Sequence, residues 1–443
     1  MPASQSHPGQ PPQNSRSKAD ELRKTGDFAA AAEAYAQLWP DGDRWTGWAY
    51  ALCLRKLKRA EEAVAVAATV FEMAPDFDLG RSVYAWALFD SIKGAEELTE
   101  NIVTRTRAIV RLTRTESPYA RVSPYVPAIL NIARLKTRKA RYSDVLRWLE
   151  LLDPAQLRAD EYAFTDRGGK DRRLASPLER YHSLKTHALE KLQRWEECLA
   201  AAQDALGQCQ PLHHDNDIWF ARRVAKAKSH LGQPKESMEE LTVLAARKSS
   251  SFLYYDIAEC AWRLGDVPTA AKNCLLALQS PGEIGYKLQC LHLFAQILWE
   301  RGQQDDARQH LLLYLAYRTE RGWHLSNCVK TLATEWAVPE TGDPASLLRE
   351  LESKWREWSD VSEPRRHGTV QTVFPHGRAG FIASADRQRF FFDTRDWKDR
   401  RLKPAPGSRV TFRTRPGFDK KRQAATVVAC DIRNEDSKAG SAG

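Results

Sequence analysis

One pattern recurs from residue 26 to residue 316 and excludes most folds for this chain. A turn is followed, at matching offsets, by small or apolar residues with helical spacing. Gly26-Asp27-Phe28 leads to Ala31, Tyr35 and Leu38. Ala60 leads to Ala63, Ala67 and Val70, Tyr142 to Val145, Leu149 and Leu152, and Trp195 to Cys198, Ala202 and Ala205. Gly232 leads to Ser237, Leu241 and Leu244, Gly265 to Ala270, Cys274 and Ala277, and Gly302 to Ala307, Leu311 and Tyr314. Each unit reads as a pair of helices whose apolar face has no partner within the pair. Ala258, Ala270 and Ala295 are small enough for neighbouring helices to approach closely. Stacked pairs then build one continuous core. An irregular helical bundle is the competing reading, and the returning turn favours the solenoid.

The units resemble tetratricopeptide repeats, whose period is roughly 34 residues. Gly232, Gly265 and Gly302 are 33 and 37 residues apart. The reading gives about seven units, with a degenerate one near residues 79–112, and assigns residues 18–360 to the solenoid. Arg107, Arg111 and Arg114 share one helix face. Arg134, Lys136, Arg138, Lys139 and Arg141 form a second basic run, and Asp166 to Arg173 reads as a loop between repeats. Residues 1–363 carry 49 basic and 49 acidic side chains, so these runs read as solvated faces. The last helix, about Pro344 to Ser359, carries a stripe of Leu348, Leu351, Trp355 and Trp358. It is expected to pack on the helix near Leu325–Trp336. The alternative is that the two tryptophans receive the C-terminal segment.

The pattern changes after Asp360. Residues 361–366 read as a short linker around Pro364. From Gly368 to Val428 short alternating or β-branched runs are separated by Pro, Gly and Asp, which predicts a small all-β barrel over residues 367–433. Residues 364–433 carry 17 basic and 6 acidic side chains, so the chain's net +10 belongs to this segment. That is an electrostatic footprint for a polyanion. Alternation along Arg389-Phe390-Phe391-Phe392-Asp393 puts Phe390 and Phe392 on one face and Phe391 on the other. If Phe391 points into the core, the other two are displayed. A run of three phenylalanines is equally compatible with plain core.

The segment resembles a cold-shock domain, a five-stranded oligonucleotide-binding barrel. The resemblance rests on Gly368-Thr369-Val370, on Gly380-Phe381-Ile382 twelve residues later, and on the aromatic run at 390–392. Leu402, Gly407, Val410, Phe412 and the closing Ala-x-x-Val fall in place. The resemblance covers about 65 of the 443 residues. It implies a base-stacking platform of Phe381, Phe390 and Phe392. Arg378, Arg389, Lys420, Lys421 and Arg422 are the expected phosphate contacts, from local charge. Gln371 and Thr372 stand where the family has Lys and Trp, and Ala379 where it has a Phe.

Phosphate-binding, dinucleotide-binding, zinc-protease and serine-hydrolase motifs are absent, so no catalytic site, cofactor or metal is expected. The eight cysteines are scattered without Cys-x-x-Cys, and several fall at apolar helix positions, which suits a reducing compartment. His182, His187, His213 and His214 read as ordinary surface or helix residues. No apolar run approaches about 18 residues. Residues 1–17 and 434–443 are expected to be disordered. The expected protein is cytoplasmic and bound to no membrane. Its barrel would bind single-stranded RNA or DNA, and its solenoid a protein partner. The alternative is a protein-only scaffold whose degenerate barrel is a docking module.

Overall fold

The computed structural model describes residues 13–114, 119–120, 123–165, 168–339, 342–362, 365–399, 402–419 and 424–435. The fold is a helical solenoid followed by a closed five-stranded barrel. By packing, the chain divides into residues 1–223 and 224–443, with the boundary inside the helix Asn216–His230.

In the first unit the helices come in pairs. These are Gln13–Thr25 with Phe28–Leu38, Arg44–Lys56 with Ala60–Met73, and Asp78–Ile92 with Glu100–Thr113. Tyr125–Arg138 with Tyr142–Leu149, and Pro177–Lys191 with Trp195–Gln208, complete it. The first helix begins at Gln13, inside the stretch expected to be disordered. Of the stretch 166–173 read as a loop between repeats, residues 166 and 167 lie outside the described residues and 171–173 are strand. Strands β1 (Tyr162–Thr165) and β2 (Asp171–Leu174) form an antiparallel hairpin there. Of the basic runs, Lys136 is committed to Asp144 at 3.0 Å, while Arg107, Arg111 and Arg114 are exposed.

Beyond the helix Asn216–His230, which the division crosses, the second unit holds Pro234–Arg247 and the pairs Ser251–Arg263 with Val267–Gln279, and Leu288–Glu300 with Gln304–Glu320. Ala258, Ala270 and Ala295 are fully buried, as their close-approach role requires. The helix Asn327–Glu335 follows, and Pro344–Ser362 ends the helical part. Leu351 and Trp355 of that last helix enter the core, while Trp358 packs against it. The partners are mainly the helices Gln304–Glu320 and Val267–Gln279, not the stretch at 325–336 that the spacing suggested.

Seven of the turns between successive helices share one geometry, and the longer connection after Ile92 does not. In the seven the pivot is Gly26, Lys58, Ala140, Gln193, Gly232, Gly265 or Gly302, always with positive φ. The next residue donates its amide to the carbonyl five positions back, as Asp27 does to Leu22 at 3.0 Å and Gln303 to Leu298 at 2.9 Å. This bond caps the orphan carbonyls of the first helix and starts the second. Glycine tolerates that backbone freely, and Lys58, Ala140 and Gln193 hold it against steric cost.

Strands β3 (Arg366–Val373), β4 (Ala379–Ser384), β5 (Arg389–Asp393), β6 (Arg409–Asp419) and β7 (Ala424–Asn434) close into a barrel of order β3-β4-β5-β7-β6. The β5–β7 pair is parallel and the others are antiparallel. The core is Val370, Ile382, Phe390, Phe392, Trp397, Val410, Phe412, Ala429 and Ile432. All of these come from the barrel itself. Strand β6 runs beside the helix Pro234–Arg247.

Cys53, Cys198, Cys209, Cys260, Cys274 and Cys290 are buried free thiols, Cys430 is half-buried and Cys328 is exposed. Among the described residues no helix is long and apolar enough to cross a membrane.

Candidate nucleic-acid interface

The outer face of β4 and β5 is set by register. In an antiparallel pair, directly opposed residues point to the same side. Phe381 opposes Phe391, Ile382 opposes Phe390, and Gly380 opposes Phe392. Phe390 is 5% exposed, Phe392 0%, and Phe391 38%. The parity of the aromatic run is therefore the reverse of the displayed Phe390 and Phe392 that resemblance implied. Those two rings fill the core, where no base reaches them, and Phe391 faces outward beside half-buried Phe381. The strand's ends carry the signal that resolves this. Arg389 and Asp393 share the parity of Phe391, and an ion is strongly disfavoured in a core this small.

The Gly of Gly-Phe-Ile follows from the same packing. A Cβ on Gly380 would lie 2.0 Å from the Thr372 carbonyl oxygen and 2.7 Å from the Phe392 ring. The register of β3 on β4 shifts between Val370 and Thr372, which leaves Gln371 unopposed and places Thr372 against Phe381.

A third ring comes from the β3–β4 turn, where sequence spacing gave no hint of it. Gly377 donates its amide to the Phe374 carbonyl at 2.8 Å, with Pro375 at the first central position and positive φ at Gly377. This is a favoured use of Pro and Gly in a tight turn. Phe374 lies 5.7 Å from Phe381 and 6.3 Å from Phe391, and those two are 5.9 Å apart, centroid to centroid. The Phe374–Phe381 and Phe381–Phe391 pairs meet edge to face. His376 adds an edge contact at 5.6 Å to Phe374. The result is an aromatic triangle on the barrel surface. Phe374 supplies a ring near the position where Ala379 lacks one, and Ala379 itself is buried.

Cations border the triangle. The Arg389 guanidinium lies over the Phe381 ring at 4.7 Å. Arg378 is exposed in the turn, its amide donating to His376 Nδ1 at 3.1 Å. Lys420, Lys421 and Arg422 lie outside the described residues. Three further cations are paired with carboxylates of the barrel itself. Arg365 binds Asp431 at 2.6 Å, Arg395 binds Asp393 at 2.8 Å, and Arg415 binds Asp396 at 3.0 Å. Burial lowers the Arg365 pKa although Asp431 opposes the shift. Burial alone would raise the Asp393 carboxyl, and the bonds from Arg395 bring it below its ordinary value.

Elsewhere, His213 is no ordinary surface residue. Its Nδ1 is 2.8 Å from Glu179 and its Nε2 3.1 Å from Glu161, and these bonds raise its pKa against the opposing effect of burial. His182 is buried, and burial lowers the His187 pKa to about 4. Among the described residues, no group of His, Cys, Asp and Glu is arranged to hold a metal.

A helical solenoid joined to a closed barrel with an aromatic face is thus the class the structure defines. No family model and no curated protein matches the chain. Among solved structures, the chain is similar to the human IFIT1 dimer with PPP-AAAA, at 12% identity and a TM-score of 0.36, over 76% of this chain and 73% of that one. A likeness this distant assigns no ligand here.

Proposed function

We propose that this chain is an adaptor that binds single-stranded RNA or DNA on its barrel while its solenoid holds a protein partner. The observation that carries the reading is the Phe374–Phe381–Phe391 triangle with Arg389 stacked on its edge. Aromatic faces beside mobile cations suit unpaired bases joined by phosphates. The barrel's strand order and its one parallel pair support an oligonucleotide-binding barrel of the cold-shock kind. In such barrels ligands lie across the second and third strands and the loops after strands one and four. Here those are β4, β5, the turn holding Phe374, and the β6–β7 connection with Lys420, Lys421 and Arg422.

Fluorescence anisotropy of the full chain with labelled oligonucleotides at several salt concentrations tests this. Phe391→Ala and Phe381→Ala are expected to weaken binding by about fivefold to a hundredfold, from roughly 1–3 kcal/mol per stacked base. Arg389→Gln is expected to flatten the salt dependence by roughly 0.7 in log–log slope. A duplex should bind less well, because its bases are paired and stacked. Duplex binding equal to single-strand binding and indifferent to both Phe changes would reduce the site to a basic patch. No binding near physiological salt would favour the barrel as a protein-docking module.

A further inference from the structure

The helix Gln304–Glu320 ends in the same bond that closes the inter-helix turns. Gly322 has positive φ, and the Trp323 amide donates to the Arg318 carbonyl, five positions back, at 2.8 Å. In the seven inter-helix turns the residue at this donating position is Asp, Arg or Gln, from Asp27 to Gln303. Here it is a tryptophan, and it is 44% exposed. Val338 holds the same position after the helix Asn327–Glu335, but it packs against the core. A large ring displayed where the other turns carry a polar side chain breaks a local rule, and such breaks concentrate at functional surfaces. More rings stand beside it. Trp323 meets Tyr317 edge to face at 6.0 Å. A Cβ on Gly285 would lie 2.7 Å from the Tyr317 hydroxyl, so the turn Ile284–Lys287 lies against that ring. The next residue of the turn, Tyr286, is 72% exposed. Two arginines join the cluster. The Arg318 guanidinium lies 5.5 Å from the Tyr314 ring and 5.9 Å from the Trp323 ring, and Arg321 lies 5.1 Å from the Tyr317 ring. Among the described residues neither has a carboxylate partner, and Arg318 donates instead to the His324 carbonyl at 3.2 Å.

We propose that this surface of the solenoid is a second contact for single-stranded nucleic acid, separate from the barrel face. Exposed ring faces stack unpaired bases, and guanidiniums without carboxylates hold the phosphates between them. A proline-rich peptide also docks on Tyr and Trp faces, but its backbone brings no negative charge for Arg318 and Arg321. Trp323 and Tyr286 take the bases. Arg321, exposed at the helix end, reaches a phosphate, and Arg318 steadies the Trp323 ring. Tyr314 and Tyr317 are buried and back the surface. The barrel face has the same composition, with Arg389 over Phe381 beside exposed Phe391. The inference shares its ligand class with the proposed function and rests on no residue of the barrel.

The test is photo-crosslinking and fluorescence anisotropy of the full chain with an oligouridylate carrying 5-iodouracil. Its length is about 20 nucleotides, beyond the roughly 4–16 that one such barrel covers. Crosslinks mapped by mass spectrometry are expected at Trp323 and Tyr286, and they should persist in the Phe391→Ala variant. Trp323→Ala and Tyr286→Ala are each expected to weaken binding by about fivefold to a hundredfold, the range for one lost base stack. Trp323→Phe keeps a ring and should retain most of the affinity. Crosslinks confined to the barrel overturn the inference and leave the barrel reading standing, as does parental affinity in both alanine variants. Crosslinks at Trp323 with binding indifferent to Phe391→Ala and Phe381→Ala support this site and overturn the barrel site. No binding by the parent overturns both. Weakened binding only in a Trp323→Ala protein that also melts lower, with Tyr286→Ala at parental affinity, makes Trp323 a structural residue and overturns the inference. A proline-rich peptide lost with Trp323→Ala, while the oligonucleotide is retained, makes the surface a peptide dock and overturns it as well.

Discussion

Trp355 donates its indole N–H to His310 Nε2 at 2.8 Å, deep in the core of the second unit. The opposite ring nitrogen, Nδ1, lies 2.7 Å from the Asp306 carbonyl, which only accepts. The two bonds together fix a neutral imidazole with its proton on Nδ1. Burial agrees, holding the His310 pKa down from 6.5 to about 4. The stripe on the last helix therefore docks through a bond as well as through apolar area.

The pH prediction follows from the sign of that shift. The unfolded chain takes up this proton near pH 6.5 and the folded chain only near pH 4. Stability from the neutral ring is complete above the higher value and declines as pH falls towards the lower one, by about 3 kcal/mol at most. His187 adds a slope of the same sign. His182 and His292 are lowered by burial as well, and His310→Gln removes one of these contributions while keeping an acceptor for Trp355. Urea unfolding at pH 7 and at pH 4.5 should show a smaller loss for the variant than for the parent. Equal losses would mean that His310 is not held neutral by the fold.

Close helix approach makes a second prediction. Ala258 and Ala295 are fully buried in successive helix pairs. Leucine at either position should destabilise by about 1–3 kcal/mol through overpacking. A variant with the parent's denaturation midpoint would show spare room that the packing does not have.

The inter-helix turn makes a third. A Cβ on Gly265 meets nothing within 4 Å, but its φ is +73°. Gly265→Ala should therefore cost about 1 kcal/mol through backbone strain alone. Gly207 is also open, yet it sits inside the helix Trp195–Gln208. There the same substitution should stabilise by roughly 0.5–1 kcal/mol. Thermal melts of the two variants should move in opposite directions, and a shared direction would contradict the turn geometry.

The fourth prediction concerns the barrel. Its core contains only barrel residues. A fragment of residues 361–435 is expected to fold alone and give a β-type circular dichroism spectrum. An unfolded fragment would make the barrel dependent on the neighbouring helix Pro234–Arg247.

Sequence by itself determined the alternation of helices and turns, the small residues at their crossings, the change to strands after residue 360, and the glycine at position 380. These are local or periodic constraints, and each is written within one element. Only four of the seven turn pivots are glycine, so Lys58, Ala140 and Gln193 emerged through the helices around them. Which side of β5 faces out was settled by register, because one slip reverses every side chain of a strand. The Phe374 ring joined the site through a turn, and Trp355 met His310 across two helices 45 residues apart in the chain. Linear spacing is silent on such meetings, since they depend on how separate elements pack.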